Sequence, residues 1–189
     1  MNIKKDFLKP VLILSIICFI VAAALAIVNY YTKDVIKDAA YQRAREAMKV
    51  IIPEADGFES FDIELLRSET GMPRTVSSVY RTTNNTGFIF MVMAQGYGVQ
   101  GIKLICGINP DGKIIKSEVL QHDETQGLGT PVFEQAHAGQ YWGKSKYDIE
   151  DINVISGATI TSNAYKTGIK DAFAAFEIIM AHYIDGVWQ

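Results

Sequence analysis

Residues 102–121 read Ile102-Lys103-Leu104-Ile105-Cys106-Gly107-Ile108-Asn109-Pro110-Asp111-Gly112-Lys113-Ile114-Ile115-Lys116-Ser117-Glu118-Val119-Leu120-Gln121. Two apolar runs flank four residues whose types specify a turn. Pro110 sets the first torsion of that turn and Gly112 accepts a positive one. The pattern predicts strands over 102–108 and 113–121, joined as an antiparallel hairpin. Upstream, residues 76–82 and 87–95 are further strand candidates, with Asn84-Asn85-Thr86-Gly87 as a turn between them. The middle of the chain therefore reads as antiparallel sheet.

Helical periods lie on either side. Over residues 32–52, Ile36, Ala40, Ala44, Ala47, Met48 and Ile51 mark one face, and Pro53 ends the run. From about residue 163 to 183, Ile169, Phe173, Phe176, Met180 and Tyr183 recur at three-four spacing, a face that packs on the sheet. This aromatic stripe reads as core rather than as a cofactor box. Residues 131–136 open a short helix, and residues 54–74 show no firm period, so they read as loop or short helix. The fold class is α+β: one N-terminal transmembrane helix followed by an antiparallel sheet packed with helices.

The transmembrane reading rests on residues 11–28, an apolar or small stretch without charge in which Ser15 is the only hydroxyl. As a helix it is about 27 Å long at roughly 1.5 Å per residue, close to the hydrocarbon thickness of a bilayer. Lys4, Lys5 and Lys9 precede it, so the positive-inside rule puts the N-terminus in the cytoplasm. Tyr30 and Tyr31 follow at the depth of an aromatic belt. Ala24-Leu25-Ala26 has the look of a signal-peptidase site, but the run exceeds a usual signal core and passes directly into helix-forming residues, which favours a retained anchor. Either way the remainder of the chain is exported, away from soluble nicotinamide and nucleotide pools.

Composition narrows the class further. The chain is 49% hydrophobic and 21% charged with a formal net charge of -3, which excludes a disordered chain. Lys and Arg are interleaved with acids and form no basic stripe, so nucleic acid is excluded as a partner. Cys18 lies in the apolar run and Cys106 in a strand, and both read as buried thiols rather than a disulfide. Two cysteines cannot ligate iron–sulfur clusters.

Gly96-Tyr97-Gly98-Val99-Gln100-Gly101 spells the GxGxxG string of a dinucleotide fold. That mechanism needs a helix opening at the third glycine. Here a strand pattern follows, so the segment reads as an inter-strand connection whose glycines admit close approach. His137 and His182 are isolated and receive no role.

Two segments carry the chemistry. Ser156-Gly157-Ala158-Thr159-Ile160-Thr161-Ser162 sets hydroxyls and small residues just ahead of a helical pattern. It reads either as a phosphate site at a helix start or as an ordinary cap, for which Thr161 is one candidate. His122-Asp123-Glu124-Thr125-Gln126-Gly127-Leu128-Gly129 is a polar loop with two glycines. His122 and Glu124 lack a second His or Cys at ligand spacing, so a metal site is set aside.

The first segment resembles the flavinylation motif of the FMN-binding domain family, in which a flavin transferase esterifies the phosphate of FMN to the threonine closing a Ser/Thr-Gly-Ala-Thr run. The resemblance implies attachment at Thr159, with Ser156, Gly157, Ala158 and Thr161 around the cofactor. Asn153 stands where the family usually has aspartate. The second segment is similar to the family's His-x-Glu-Thr-Pro-Gly-Leu-Gly, with Gln126 in place of proline. It implies that Glu124, Thr125, Gly127, Leu128 and Gly129 form a wall of the flavin pocket.

With one anchor and one short domain, the chain resembles the G-subunit branch of that family, from the Rnf complexes, which are ion-translocating ferredoxin:NAD oxidoreductases of bacterial and archaeal cell membranes. The resemblance implies covalent FMN on the extracytoplasmic side, electron relay rather than catalysis by the subunit alone, and other integral membrane subunits as partners. A flavin transferase is implied in maturation. The expected organisation is a cytoplasmic N-terminus over 1–10, a transmembrane helix over 11–29, a helical stalk and connecting loop over 30–75, and the FMN-binding domain over 76–189. Rival readings are the C subunit of the sodium-translocating NADH:quinone oxidoreductase, which is normally longer, and a membrane-anchored flavin redox sensor, which needs an output module. A third is an exported adaptor in which residues 156–162 only cap a helix.

Overall fold

A computed structural model describes residues 3–184 and 187–188; the first two residues of the expected cytoplasmic segment lie outside them. Helix α1 spans Ile3–Ile51 without a break, so the anchor and the helix expected over 32–52 are one element. Within it, Pro10–Lys33 is long and apolar enough to cross a membrane. Thr32 Oγ1 donates to Val28 O at 2.8 Å, which satisfies its hydroxyl within the helix. The Tyr30 and Tyr31 rings meet edge-on at 5.5 Å, and Lys33 Nζ stands 5.1 Å over Tyr30, an arrangement suited to a headgroup region.

The chain divides into two compact units, Met1–Arg43 and Ala44–Gln189. In the second, strands β1 (Phe58–Ser60), β2 (Val76–Thr82), β3 (Phe88–Ala94), β4 (Ile102–Ile108) and β5 (Ile114–Gln121) form an antiparallel meander in chain order. The expected turns join it. Gly112 adopts φ 73° and donates from N to Asn109 O at 3.0 Å. Asn85 takes φ 55° in the other.

β3 and β4 are buried on both faces, which is why they are almost continuously apolar instead of alternating. Phe90, Val92, Leu104 and Cys106 belong to the core shared with helix α4 (Thr159–His182). Ile89, Met91 and Ile105 pack in a second cluster with Ala44, Ala47, Met48, Ile51 and Ile52 from the end of α1 and just beyond it. The sheet is thus closed on one face by α4 and on the other by the last turns of α1.

Several expectations are corrected. Residues 54–74 hold the edge strand β1 as well as helix α2 (Ile63–Thr70), whose N-cap Asp62 accepts from Glu64 N and Leu65 N. The short helix at 131–136 is two pieces, a 3-10 turn at Thr130–Phe133 and helix α3 (Gln135–Ala138), because Glu134 is extended at ψ 151°. Helix α4 starts four residues before the expected 163. Its buried face runs through Tyr165, Ile169, Ala172, Phe176 and Ile179, while Met180 is 43% exposed. Tyr183 lies in strand β6 (Tyr183–Ile184), which pairs with β7 (Val187–Trp188), and its side chain is outside the described residues.

His137, without an expected role, is buried between Val132 O at 3.0 Å from Nδ1 and Asn153 O at 3.2 Å from Nε2. It ties the segment carrying Asn153 to the 3-10 turn. Cys106 is buried and free, as expected, whereas Cys18 is exposed on the surface of α1.

Candidate functional site

Three segments converge at one end of α4. The helix opens at Thr159, and Ser162 N donates to Ala158 O at 2.8 Å, so Ala158 occupies the cap position. Its side chain has no oxygen to offer. The capping reading of residues 156–162 is thereby corrected, because the helix start is held by other means. Ser162 Oγ turns back to accept from Ile155 N at 3.1 Å. Thr161, a candidate cap by its residue type, instead donates from Oγ1 to Glu124 Oε2 at 2.5 Å. Gly157, with φ 83°, makes the left-handed turn into the helix.

The second segment is the loop after β5. Thr125 O accepts from Leu128 N at 3.2 Å and Gly129 N at 2.9 Å, and Gly127 N donates to Thr130 Oγ1 at 2.9 Å. Glu124 is buried at 7% exposure, and Gly129 passes over it without a side chain. Both oxygens of its carboxylate are engaged: Oε2 by Thr161, and Oε1 by Gly98 N at 3.0 Å.

That last bond reaches the third segment, the connection 95–101 before β4. Asp123 Oδ2 accepts from Gln100 N at 2.9 Å, and Gln95 Nε2 donates to Gly98 O at 2.9 Å. A Cβ on Gly96 would overlap the Glu124 carboxylate, and one on Gly98 the Asp123 carboxylate. The glycines of this string serve close approach by two neighbouring acids. A strand follows, so the dinucleotide reading fails as expected.

Between the three segments lies a cleft of about 340 Å³. Helix α4 and its approach contribute Gly157, Ala158, Thr159, Ile160 and Thr161; the loop contributes Glu124, Thr125, Leu128 and Gly129; the glycine string contributes Tyr97. The expected residues are brought together with two exceptions, since Ser156 and Gly127 do not line it. Tyr97 and Ile160 were not anticipated. Ile160 is adjacent to Thr159 and was legible from that alone, whereas the only signal at Tyr97 is its place in a Gly-aromatic-Gly string.

The hydroxyls of the motif are sorted by this geometry. Thr161 and Ser162 are buried and engaged. Ser156 is exposed but off the cleft, and Thr159 is exposed on the cleft wall. Thr159 is also the first residue of a 24-residue helix, where backbone N–H groups lack intrahelical acceptors and the helix end is partly positive. The cleft thus offers an accessible hydroxyl and an anion-favouring helix end beside Tyr97, Leu128, Ala158 and Ile160. A phosphorylated planar aromatic fits that division, and FMN is such a molecule.

Residues 96–174 match the FMN-binding domain family. The chain is similar to the G subunit of the Na(+)-translocating ferredoxin:NAD(+) oxidoreductase complex of Acetobacterium woodii, 30% identical over 193 residues that cover 92% of this chain and 93% of that one. It is similar as well to the G subunit of the proton-translocating ferredoxin:NAD(+) oxidoreductase complex of Clostridium ljungdahlii, 28% identical over 168 residues, 84% and 85% of the two chains. The G subunit of the ion-translocating oxidoreductase complex of Methanosarcina acetivorans is 29% identical over 182 residues, 91% and 95% of the two.

Proposed function

We propose, from the premise that this chain belongs to the family of G subunits of ion-translocating oxidoreductase complexes, that it is a membrane-anchored electron relay carrying FMN esterified through its phosphate to Thr159. Its partners are the other membrane subunits of an Rnf-type complex, and a flavin transferase loads it. The observation that carries the attachment site is the sorting of hydroxyls: Thr159 alone among Ser156, Thr159, Thr161 and Ser162 is both exposed and on the cleft.

When bound, the flavin supplies one- and two-electron transfer, so the protein needs only to hold and orient it. Thr159 Oγ1 would provide the ester oxygen, and the free N–H groups at the start of α4 would favour the phosphate charge beside it. Ala158, Leu128 and Ile160 offer apolar surface to the ring system, and Thr125 a polar edge. Glu124 keeps the walls in register from behind. Covalent attachment keeps a soluble cofactor from being lost on the extracytoplasmic side, the side that the lysines before the apolar run favour for the domain.

The test is direct. The chain co-expressed with a flavin transferase, denatured and run on a gel, is expected to fluoresce as a flavoprotein. A dark band would overturn covalent attachment.

A further inference from the structure

We infer that Tyr97 is the aromatic wall of the flavin site, its ring lying against the flavin ring system, and that Asp123 and Glu124 hold it there. The inference rests on the reading that the cleft holds FMN. Tyr97 is the one aromatic side chain among the described residues lining the cleft, and it is 71% exposed. An aromatic ring with so much free surface gains by being covered with a flat ring.

That exposure does not come from a slack segment. Gly98 N donates to Glu124 Oε1, Gln100 N to Asp123 Oδ2, and Gln95 Nε2 to Gly98 O, so the backbone just after Tyr97 is held at three points. The flanking glycines leave no room for other side chains, since a Cβ at either would meet a carboxylate. Segment 96–98 can therefore present only one side chain, and that side chain reaches the cleft.

Glu124 also fixes Tyr97 relative to the phosphate end. Its Oε1 takes the N–H next to Tyr97, and its Oε2 takes the hydroxyl of Thr161, two residues from Thr159. One carboxylate thus spaces the aromatic wall from the attachment point. A tether at one end and a ring at the other fix both position and plane of a bound flavin.

Flavin fluorescence tests this. A tyrosine in contact with an excited flavin gives it one electron, which returns to the tyrosine as the pair recombines, so light is lost without net chemistry. Phenylalanine keeps the ring and is too hard to oxidise to do so. Flavinylated wild type, Tyr97→Phe and Tyr97→Trp are compared in native buffer and after denaturation, with flavin content read from the denatured samples. The expected result is a dim native wild type, a Tyr97→Phe severalfold brighter at equal flavin content, and a Tyr97→Trp at least as dim as wild type. All three should become equally bright on denaturation. A loaded protein in which native Tyr97→Phe is no brighter than wild type overturns the inference alone. A wild type without attached flavin overturns the cofactor reading, and this inference with it.

Discussion

Thr161 Oγ1 donates to Glu124 Oε2 at 2.5 Å, joining residues 37 apart in sequence. The bond turns one threonine of the motif inward and leaves Thr159, two positions earlier, facing the cleft. Successive helical residues point about 100° apart, so the two hydroxyls leave the helix in different directions although both residues border the cleft.

Thr159→Val is expected to abolish covalent flavin while leaving stability within about 0.5 kcal/mol, because the side chain is exposed. Thr161→Val should keep most of the flavin and lose about 1–3 kcal/mol, since it strips a buried carboxylate of a donor. In-gel fluorescence and thermal unfolding of the same preparations separate the two effects. A flavinylated peptide mapped to Thr161 by mass spectrometry would contradict the assignment.

Glu124→Ala orphans Gly98 N and the Thr161 hydroxyl together, at about 1–3 kcal/mol for each buried donor. Glu124→Gln retains an oxygen for the first and a donor for the second, so it should recover part of that loss. Chemical denaturation with both variants side by side reads the difference. Equal stability of Ala and Gln at this position would show that the two bonds contribute nothing.

Gly98→Ala and Gly127→Ala are the same substitution with different physics. At 98 the added carbon overlaps the Asp123 side chain, and overpacking of this kind costs about 1–3 kcal/mol and displaces Tyr97. At 127 the space is open and the penalty is the left-handed backbone, φ 75°, about 1–2 kcal/mol. Both should melt earlier, but only Gly98→Ala should change the native flavin fluorescence.

Alkaline pH should destabilise the second unit. Burial pushes the Cys106 thiol far above its ordinary range and the Tyr141 phenol up to about 12. Burial also raises Tyr165, against the opposing effect of its bond with Ser117. The folded state keeps protons that the unfolded chain releases. Their contribution is complete below the unfolded values, about 8.5 for a thiol and about 10 for a phenol, and is lost as pH rises past them. Cys106→Ala should flatten the decline that begins near pH 9 in a series of thermal melts. An unchanged slope would remove the thiol from the account.

The orientation is testable independently. A reporter that is active only in the cytoplasm, fused after Gln189, is expected to be silent. An active reporter would reverse the topology and move the redox site to the other side of the membrane.

The sheet was legible because its turns announce themselves: Pro110 with Gly112, and Asn85 with Gly87, bracket runs too apolar to be anything but buried. The edge strand β1 was not, since three residues paired with Tyr80, Arg81 and Thr82 are too few to carry a period of their own. The start of α4 was missed for a related reason. Hydroxyls usually stand outside a helix as caps, whereas here an alanine takes that place and the threonines lie in the first turn. Met180 falls outside the core because the buried face steps from Phe176 to Ile179 rather than by four. The site residues of the two motifs were readable as local strings. Tyr97 was not, because its placement depends on Asp123 and Glu124, 26 and 27 positions later, and no local pattern encodes a bond over that span.

The closure of Ile89, Met91 and Ile105 by the end of α1 has a consequence for how the protein is made. A ribosome releases residues 44–52 before any strand they cover, and nascent chains fold from the N-terminal end. The strands β3 and β4 thus emerge to meet an apolar helical face that is already in place. One apolar face of these strands is thus covered before α4, which closes the other, has been made.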